Sequence, residues 1–130
     1  MAKEKAKILL VEDDIPLRDM YETRLKYEGY QIETASDGEE ALAKAVKEKP
    51  DLILLDIMMP KVSGFDVLDI LKNTESTKEI PVIIITVLEQ ESNKVKGLVS
   101  GAEDYIIKSQ TMPQDVIVKI NEVLKKHKKI

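Results

Sequence analysis

The residues able to do chemistry in this chain are Glu12, Asp13, Asp56, Thr86 and Lys108, and each directly follows a short aliphatic run. KILLV runs into Glu12, Asp13 and Asp14; LILL runs into Asp56; IPVIII runs into Thr86; Tyr105-Ile106-Ile107 runs into Lys108. A carboxylate at the end of an apolar strand is costly to bury unless it is paired or ligates a cation. Three carboxylates brought to about 5 Å repel by roughly 3 kcal/mol per pair at an effective dielectric of 20. A hard divalent cation relieves that repulsion, and oxygen ligands of this kind suit Mg²⁺. The sequence has no cysteine and its one histidine, His127, is remote, which argues against zinc. A cation, an ammonium and a hydroxyl together are what a phosphoryl group needs. The cation and Lys108 neutralise its oxygens, and Thr86 donates a hydrogen bond. Asp56, central in the set, can then attack and form an aspartyl phosphate. Taken alone, Asp56 is more readily read as a strand-end residue capping a turn; the other four residues give it its chemical reading.

The elements that must position these residues follow from periodicity. Lys7–Val11, Leu52–Leu55 and Ile80–Ile85 are continuous apolar runs, as expected of strands buried on both faces. Tyr30–Ala35 alternates like a half-buried strand, and Tyr105–Ile107 makes a short fifth. Between them lie helical patterns. The first carries an apolar stripe of Leu17, Met20, Tyr21 and Leu25, with Pro16 in its first turn and Gly29 as its left-handed stop. Asp14 is placed to cap it. The second, capped by Ser36 or Asp37, runs through Lys49 to Pro50 with Ala41, Leu42, Ala45 and Val46 inward. The third carries Phe65, Val67, Leu68 and Leu71 and frays near Asn73. The fourth, Glu89–Val99, has a narrow stripe of Val95, Leu98 and Val99, with Gly97 inside it at a cost of about 1 kcal/mol against alanine. Gly101 is its expected stop. Thr111-x-x-Gln114 reads as a capping box for the last helix, whose inner face is Val116, Ile117, Ile120, Val123 and Leu124.

Five strand–helix units in strict alternation demand a parallel sheet covered on both faces. The expected fold is therefore α/β, a flavodoxin-like (βα)5 three-layer sandwich with a parallel five-stranded sheet in the order 2-1-3-4-5. In that order strands one, three, four and five are contiguous and their C-terminal ends share one edge. The functional residues meet there.

Composition is consistent with one globular domain over residues 1–130. Aromatic residues are 4% of the chain and the net charge is −4, which leaves little for base stacking or for phosphate-backbone binding. The basic run Lys125, Lys126, His127, Lys128, Lys129 reads as a solvated helix end. The apolar run behind the basic N-terminus is too short for a membrane span or a signal peptide. No attached effector is expected, and neither nucleic acid nor membrane is an expected partner.

These residues and spacings resemble a response-regulator receiver domain of the stand-alone chemotaxis (CheY-like) type. The resemblance rests on Glu12-Asp13, on Asp56 with Met59, Pro60 and Gly64 in the pattern D-x-x-M-P-x-x-x-G, and on Thr86, Tyr105 and Lys108. It implies that Asp56 is the phosphoacceptor. Asp13 becomes the main ligand of Mg²⁺ (or Mn²⁺), with Glu12 acting through water and the backbone carbonyl of Met58 completing the set. Thr86 and Lys108 become the switch hydroxyl and the phosphate-binding ammonium, and Tyr105 an aromatic that swings inward as Thr86 moves. The resemblance also implies a cytoplasmic signalling switch that catalyses only its own phosphorylation and dephosphorylation. Its donor would be a sensor histidine kinase or phosphotransfer protein. Its output would pass through the helix 4–strand 5–helix 5 surface to a separate protein or a phosphorylation-dependent homodimer.

Departures from the family pattern are Ser109 where proline is usual, a connection from Ser109 to Met112 one residue longer than usual, and Val87 where a small residue is usual. Met58 and Leu88 flank the phosphoryl position and neither can orient an attacking water, so slow self-dephosphorylation is expected. Three rivals are set against this reading. A pseudo-receiver would leave the pocket unused as a constitutive binding module. A flavodoxin-like cofactor binder would need a phosphate cradle where three acids stand. An aspartyl-phosphate hydrolase would need a second Asp where Met58 stands.

Overall fold

The computed structural model describes residues 6–59 and 61–127. Pro60 of the loop motif, and Lys128 and Lys129 of the basic run, lie outside the described residues. The chain alternates as expected: β1 (Lys7–Val11), α1 (Ile15–Tyr27), β2 (Gln31–Ala35), α2 (Gly38–Glu48), β3 (Leu52–Leu55), α3 (Gly64–Lys72), β4 (Val82–Thr86), α4 (Glu91–Val99), β5 (Asp104–Ile107) and α5 (Pro113–Lys126), with a 3-10 turn at Lys108–Gln110. All pairings are parallel and the strand order is β2-β1-β3-β4-β5.

The period of two along the strands divides the core. Ile8, Leu10, Leu52, Leu54, Ile83, Ile85 and Ile106 pack with Tyr21 and Leu25 of α1 and the inner face of α5. Leu9, Val11, Ile53, Leu55, Val82, Ile84 and Tyr105 pack with α2, α3 and the α4 side. Side chains buried on both sides of three central strands leave the strands nowhere to show polar groups except at their ends, and the chemistry is there.

Local signals are honoured where they concern backbone geometry. Asp14 caps α1, accepting from the Leu17 N–H at 3.0 Å, and Asp37 rather than Ser36 caps α2, accepting from the Glu40 N–H at 2.9 Å. Gly29 (φ 99°) and Gly101 (φ 111°) take the left-handed stops.

Three expectations fail. On α1 and α2 the apolar stripes are narrower than the sequence implies. Tyr21, Leu25, Ala41 and Ala45 are buried, whereas Met20 is 41% and Val46 49% exposed. Met20 instead lines a surface groove with Pro16, Tyr27 and Pro113. On α4 the stripe Val95, Leu98, Val99 is exposed, Val99 by 80%. The residue facing the sheet is Gly97: a Cβ there would come within 2.6 Å of Ile84 Cδ1 and 3.3 Å of Tyr105 Cδ2. The glycine is there because β4 and β5 approach the helix backbone, so α4 turns its valines and leucine outward. Finally, Thr111 caps nothing. Met112 is the N-cap of α5 without a side-chain bond, and Pro113 opens the helix. The 3-10 turn absorbs the extra residue of the connection, and proline at the first helical position sets the start. Among the described residues no helix is long and apolar enough to cross a membrane.

Candidate functional site

Backbone register brings the acids together. Val11 is paired with Leu55, and the ladder runs one residue further: the Asp56 N–H donates to Val11 O at 3.1 Å and the Glu12 N–H to Ala35 O at 3.0 Å. Glu12 and Asp56 are therefore side by side at the sheet edge, and both are buried, at 2% and 4% exposure. Asp13 stands beside them in solvent, and carboxylate oxygens of all three lie within 4.8 Å of one another.

Lys108 closes the cluster from the start of the 3-10 turn. Its ammonium donates to Asp56 Oδ2 at 2.9 Å and, in a shorter contact, to Glu12 Oε1. The other Asp56 oxygen, Oδ1, accepts the Met58 N–H at 2.9 Å. Glu12 Oε2 accepts the Asp14 N–H at 3.2 Å, and the Glu12 carbonyl accepts from Arg18 Nη1 at 3.3 Å. Each buried carboxylate is thus oriented by both a backbone N–H and the same ammonium.

Electrostatics follow this arrangement. Burial is the main reason the Glu12 carboxyl is pushed up from an ordinary 4.5 to about 6; Asp56 adds to the rise, while Lys108 and the Asp14 N–H oppose it. Burial works to lower the Lys108 pKa, but its hydrogen bonds to Glu12 and Asp56 outweigh that and leave it raised. The ammonium stays charged, and the cluster remains two charges short of neutral when all three carboxylates are ionised. An all-oxygen donor set with surplus negative charge and one exposed member fits a hard divalent cation such as Mg²⁺.

Thr86 and Tyr105 sit a step away, joined through one residue. Thr86 is fully buried and its Oγ1 accepts the Leu88 N–H at 3.4 Å, while the Tyr105 hydroxyl donates to the Leu88 carbonyl at 3.0 Å. Tyr105 is 6% exposed. The Tyr105 ring is buried beside α4, where Gly97 leaves room for it and the Leu88 carbonyl accepts its hydroxyl. Burial, with Asp56 adding, raises the Tyr105 pKa.

Two features escaped the sequence reading. Leu88 acts through its backbone, which no residue type announces. Ser109, met only as a departure, donates to Glu89 Oε1 at 3.0 Å, with Gln110 Nε2 at 3.5 Å from the same oxygen. This polar strap ties the loop after β4 to the turn that carries Lys108. Val87 is 52% exposed.

Comparison with known proteins agrees with the geometry. The family model of the response regulator receiver domain matches residues 8–121. The chain is 40% identical over 130 residues to a probable transcriptional regulator, ycf27, of Pyropia yezoensis, covering all of this chain and 52% of that protein. It is 40% identical over 119 residues to the phosphate regulon transcriptional regulatory protein PhoB of Pseudomonas aeruginosa, covering 92% of this chain and 52% of that one. The chain thus spans about half the length of the curated relatives it matches. Among solved structures, a CheY-like receiver domain protein of Methanospirillum hungatei superposes with a TM-score of 0.88 at 33% identity over 98% of both chains. Chemotaxis protein CheY4 of Vibrio cholerae superposes with a TM-score of 0.85 at 34% identity, over 92% of this chain and 99% of that one.

Proposed function

Since the chain belongs to the response regulator receiver family of two-component systems, we propose that residues 1–130 act as a single phosphorylation switch with Asp56 as the phosphoacceptor. The observation that carries this is the Asp56 carboxylate itself. It is buried, held at Oδ1 by the Met58 amide and at Oδ2 by Lys108, and flanked by two further acids. Such fixed orientation at the mouth of a parallel sheet is what a nucleophile needs.

An oxygen of Asp56 attacks the donor phosphorus. The new P–O bond forms as the donor's P–N bond breaks, and the imidazole of a kinase or phosphotransfer protein leaves with the electron pair. Glu12, Asp13, Asp56 and the Met58 carbonyl would hold Mg²⁺ (or Mn²⁺), which would supply charge neutralisation for the phosphoryl oxygens. Lys108 supplies the second positive charge, and Thr86 a hydroxyl donor once it turns from the Leu88 amide. Because Leu88 is bonded to both Thr86 and Tyr105, a shift at Thr86 is felt at the α4–β5–α5 face. That face offers Val95, Leu98 and Val99 to a partner protein or a second copy. The names of the curated relatives support an output in transcriptional control. The chain's catalysis is confined to its own phosphorylation and dephosphorylation.

The test is intact mass after incubation with acetyl phosphate, with Mg²⁺ or with EDTA, beside Asp56→Asn. A Mg²⁺-dependent gain of one phosphoryl group, absent from the variant, is expected. No gain in the folded parent protein would overturn the proposal in favour of a constitutive binding module.

A further inference from the structure

We propose that Gly38, with Asp37 beside it, is a positioning residue for the site: the first turn of α2 is the seat on which the loop holding the Asp56 carboxylate rests. The inference builds on the phosphoacceptor reading but stands on separate contacts.

The loop from Ile57 to Ser63 joins β3 to α3. Its ends are closed by the Gly64 N–H, which donates to Ile57 O at 3.2 Å. They are closed so tightly that a Cβ on Gly64 would lie 2.2 Å from Ile57 Cα and 2.7 Å from Asp56 O. Between these ends Lys61 takes a left-handed backbone, φ 69°. A residue with a side chain adopts that conformation when its surroundings over-determine it. The surroundings are α2. Lys61 Nζ pairs with Asp37 Oδ2 at 3.3 Å. Val62, the next residue, occupies the space a side chain at position 38 would need: a Cβ on Gly38 would lie 2.7 Å from Val62 Cβ, 2.9 Å from Val62 O and 2.9 Å from Val67 Cγ2.

Gly38 takes no left-handed conformation; the positive-φ glycines are Gly29 and Gly101. Alanine is the better helix former, so a glycine at the first helical position is explained by space alone. A methyl there must push Val62 from 2.7 Å to an ordinary contact of at least 3.4 Å. Neither a Cβ nor a carbonyl oxygen yields as a flexible side-chain end would, so the loop backbone moves. Met58 lies in the same closed loop, and its amide fixes Asp56 Oδ1 at 2.9 Å. Displacing the seat therefore loosens the grip on the carboxylate from outside the site. Asp37 does two jobs, capping α2 through Glu40 N–H and tethering Lys61. Asparagine preserves the first and weakens the second.

The experiment reads two quantities in the full chain: hydrogen exchange of the Met58 amide without metal, and Mg²⁺ affinity by calorimetric titration. Disturbing such supporting contacts costs about tenfold or more in metal affinity. For Gly38→Ala we expect about tenfold weaker Mg²⁺ binding and similarly faster Met58 exchange, with the fold retained. For Asp37→Asn, which loses an exposed ion pair, we expect about a two- to fivefold change in the same direction. Val46→Ala, exposed on the same helix, changes neither. A folded Gly38→Ala protein with parental Met58 exchange and parental Mg²⁺ affinity would overturn the seat; if that variant does not fold, the same result in Asp37→Asn overturns it. Faster Met58 exchange in a protein whose parent takes up no phosphoryl group would leave the seat standing and remove the phosphoacceptor reading instead.

Discussion

Replacing Lys108 with methionine keeps the length of the side chain and removes the ammonium that bridges Glu12 and Asp56. The two buried carboxylates then face each other with oxygens within 4.8 Å, a repulsion of about 3.5 kcal/mol at an effective dielectric of 20. Removing one partner of a buried ion pair costs about 3–5 kcal/mol by the same reasoning. A proton can relieve most of this. In the parent protein Glu12 already has its pKa raised to about 6. An acid whose folded-state pKa lies above its unfolded one makes stability fall as pH rises, here between about 4.5 and 6. Without Lys108 two of the three contributions that hold Glu12 down, its hydrogen bond and its attraction, are gone, and the Asp14 N–H alone remains. The fall therefore continues above pH 6. Urea unfolding should show Lys108→Met less stable than the parent by about 3 kcal/mol at pH 8 and by under about 1 kcal/mol at pH 5. Saturating Mg²⁺ at pH 8 should recover most of the difference, since the cation replaces the lost charge. An equal loss at both pH values, or a loss that Mg²⁺ leaves untouched, would refute the view that Lys108 is held there by charge.

Gly97→Ala gains about 1 kcal/mol of helix propensity but drives a methyl into Ile84 and Tyr105, and overpacking of this kind costs about 1–3 kcal/mol. A net loss near 1 kcal/mol with an altered near-ultraviolet tyrosine signal is expected; a stabilised variant with the parental signal contradicts the packing argument. Met58→Asn with Leu88→Glu places polar groups where two apolar ones flank Asp56. The phosphorylated form of that variant should lose its phosphate faster than the parent's, followed by intact mass over time, and an equal lifetime would count against apolar shielding. Ser109→Ala removes one exposed hydrogen bond to Glu89, so stability should change by under about 1 kcal/mol. Amide exchange from Leu88 to Gln90 should quicken, and unchanged exchange there would show that the strap restrains nothing.

What the sequence disclosed, and what it hid, divides along a physical line. Strand ends were legible because continuous aliphatic runs must be buried and the polar residue that ends each run must reach the sheet edge. Glu12, Asp56, Thr86 and Lys108 were found that way. Caps set by one residue's own type, the Asp14 carboxylate and the Gly29 backbone, were legible too. Helix orientation was harder. Val95, Leu98 and Val99 form a good stripe, yet α4 turns them outward because Gly97 admits Ile84 and Tyr105. Which small residue meets which neighbour depends on contacts distant in sequence. Thr111 was misread since a local capping pattern competed with Pro113 and lost. The Leu88 backbone, the Glu89 strap and the seat at Gly38 were hidden because backbone atoms and close approaches carry no residue signature.

The central claim is that one carboxylate, Asp56, takes the phosphoryl group. The direct measurement is borohydride trapping after acetyl phosphate treatment in Mg²⁺, followed by peptide mapping. An aspartyl phosphate is reduced to homoserine at the modified position. The account predicts homoserine at position 56 alone, with Glu12 and Asp13 intact and no product in EDTA. Reduction at another acid, or none in a protein that has gained a phosphoryl mass, would contradict it.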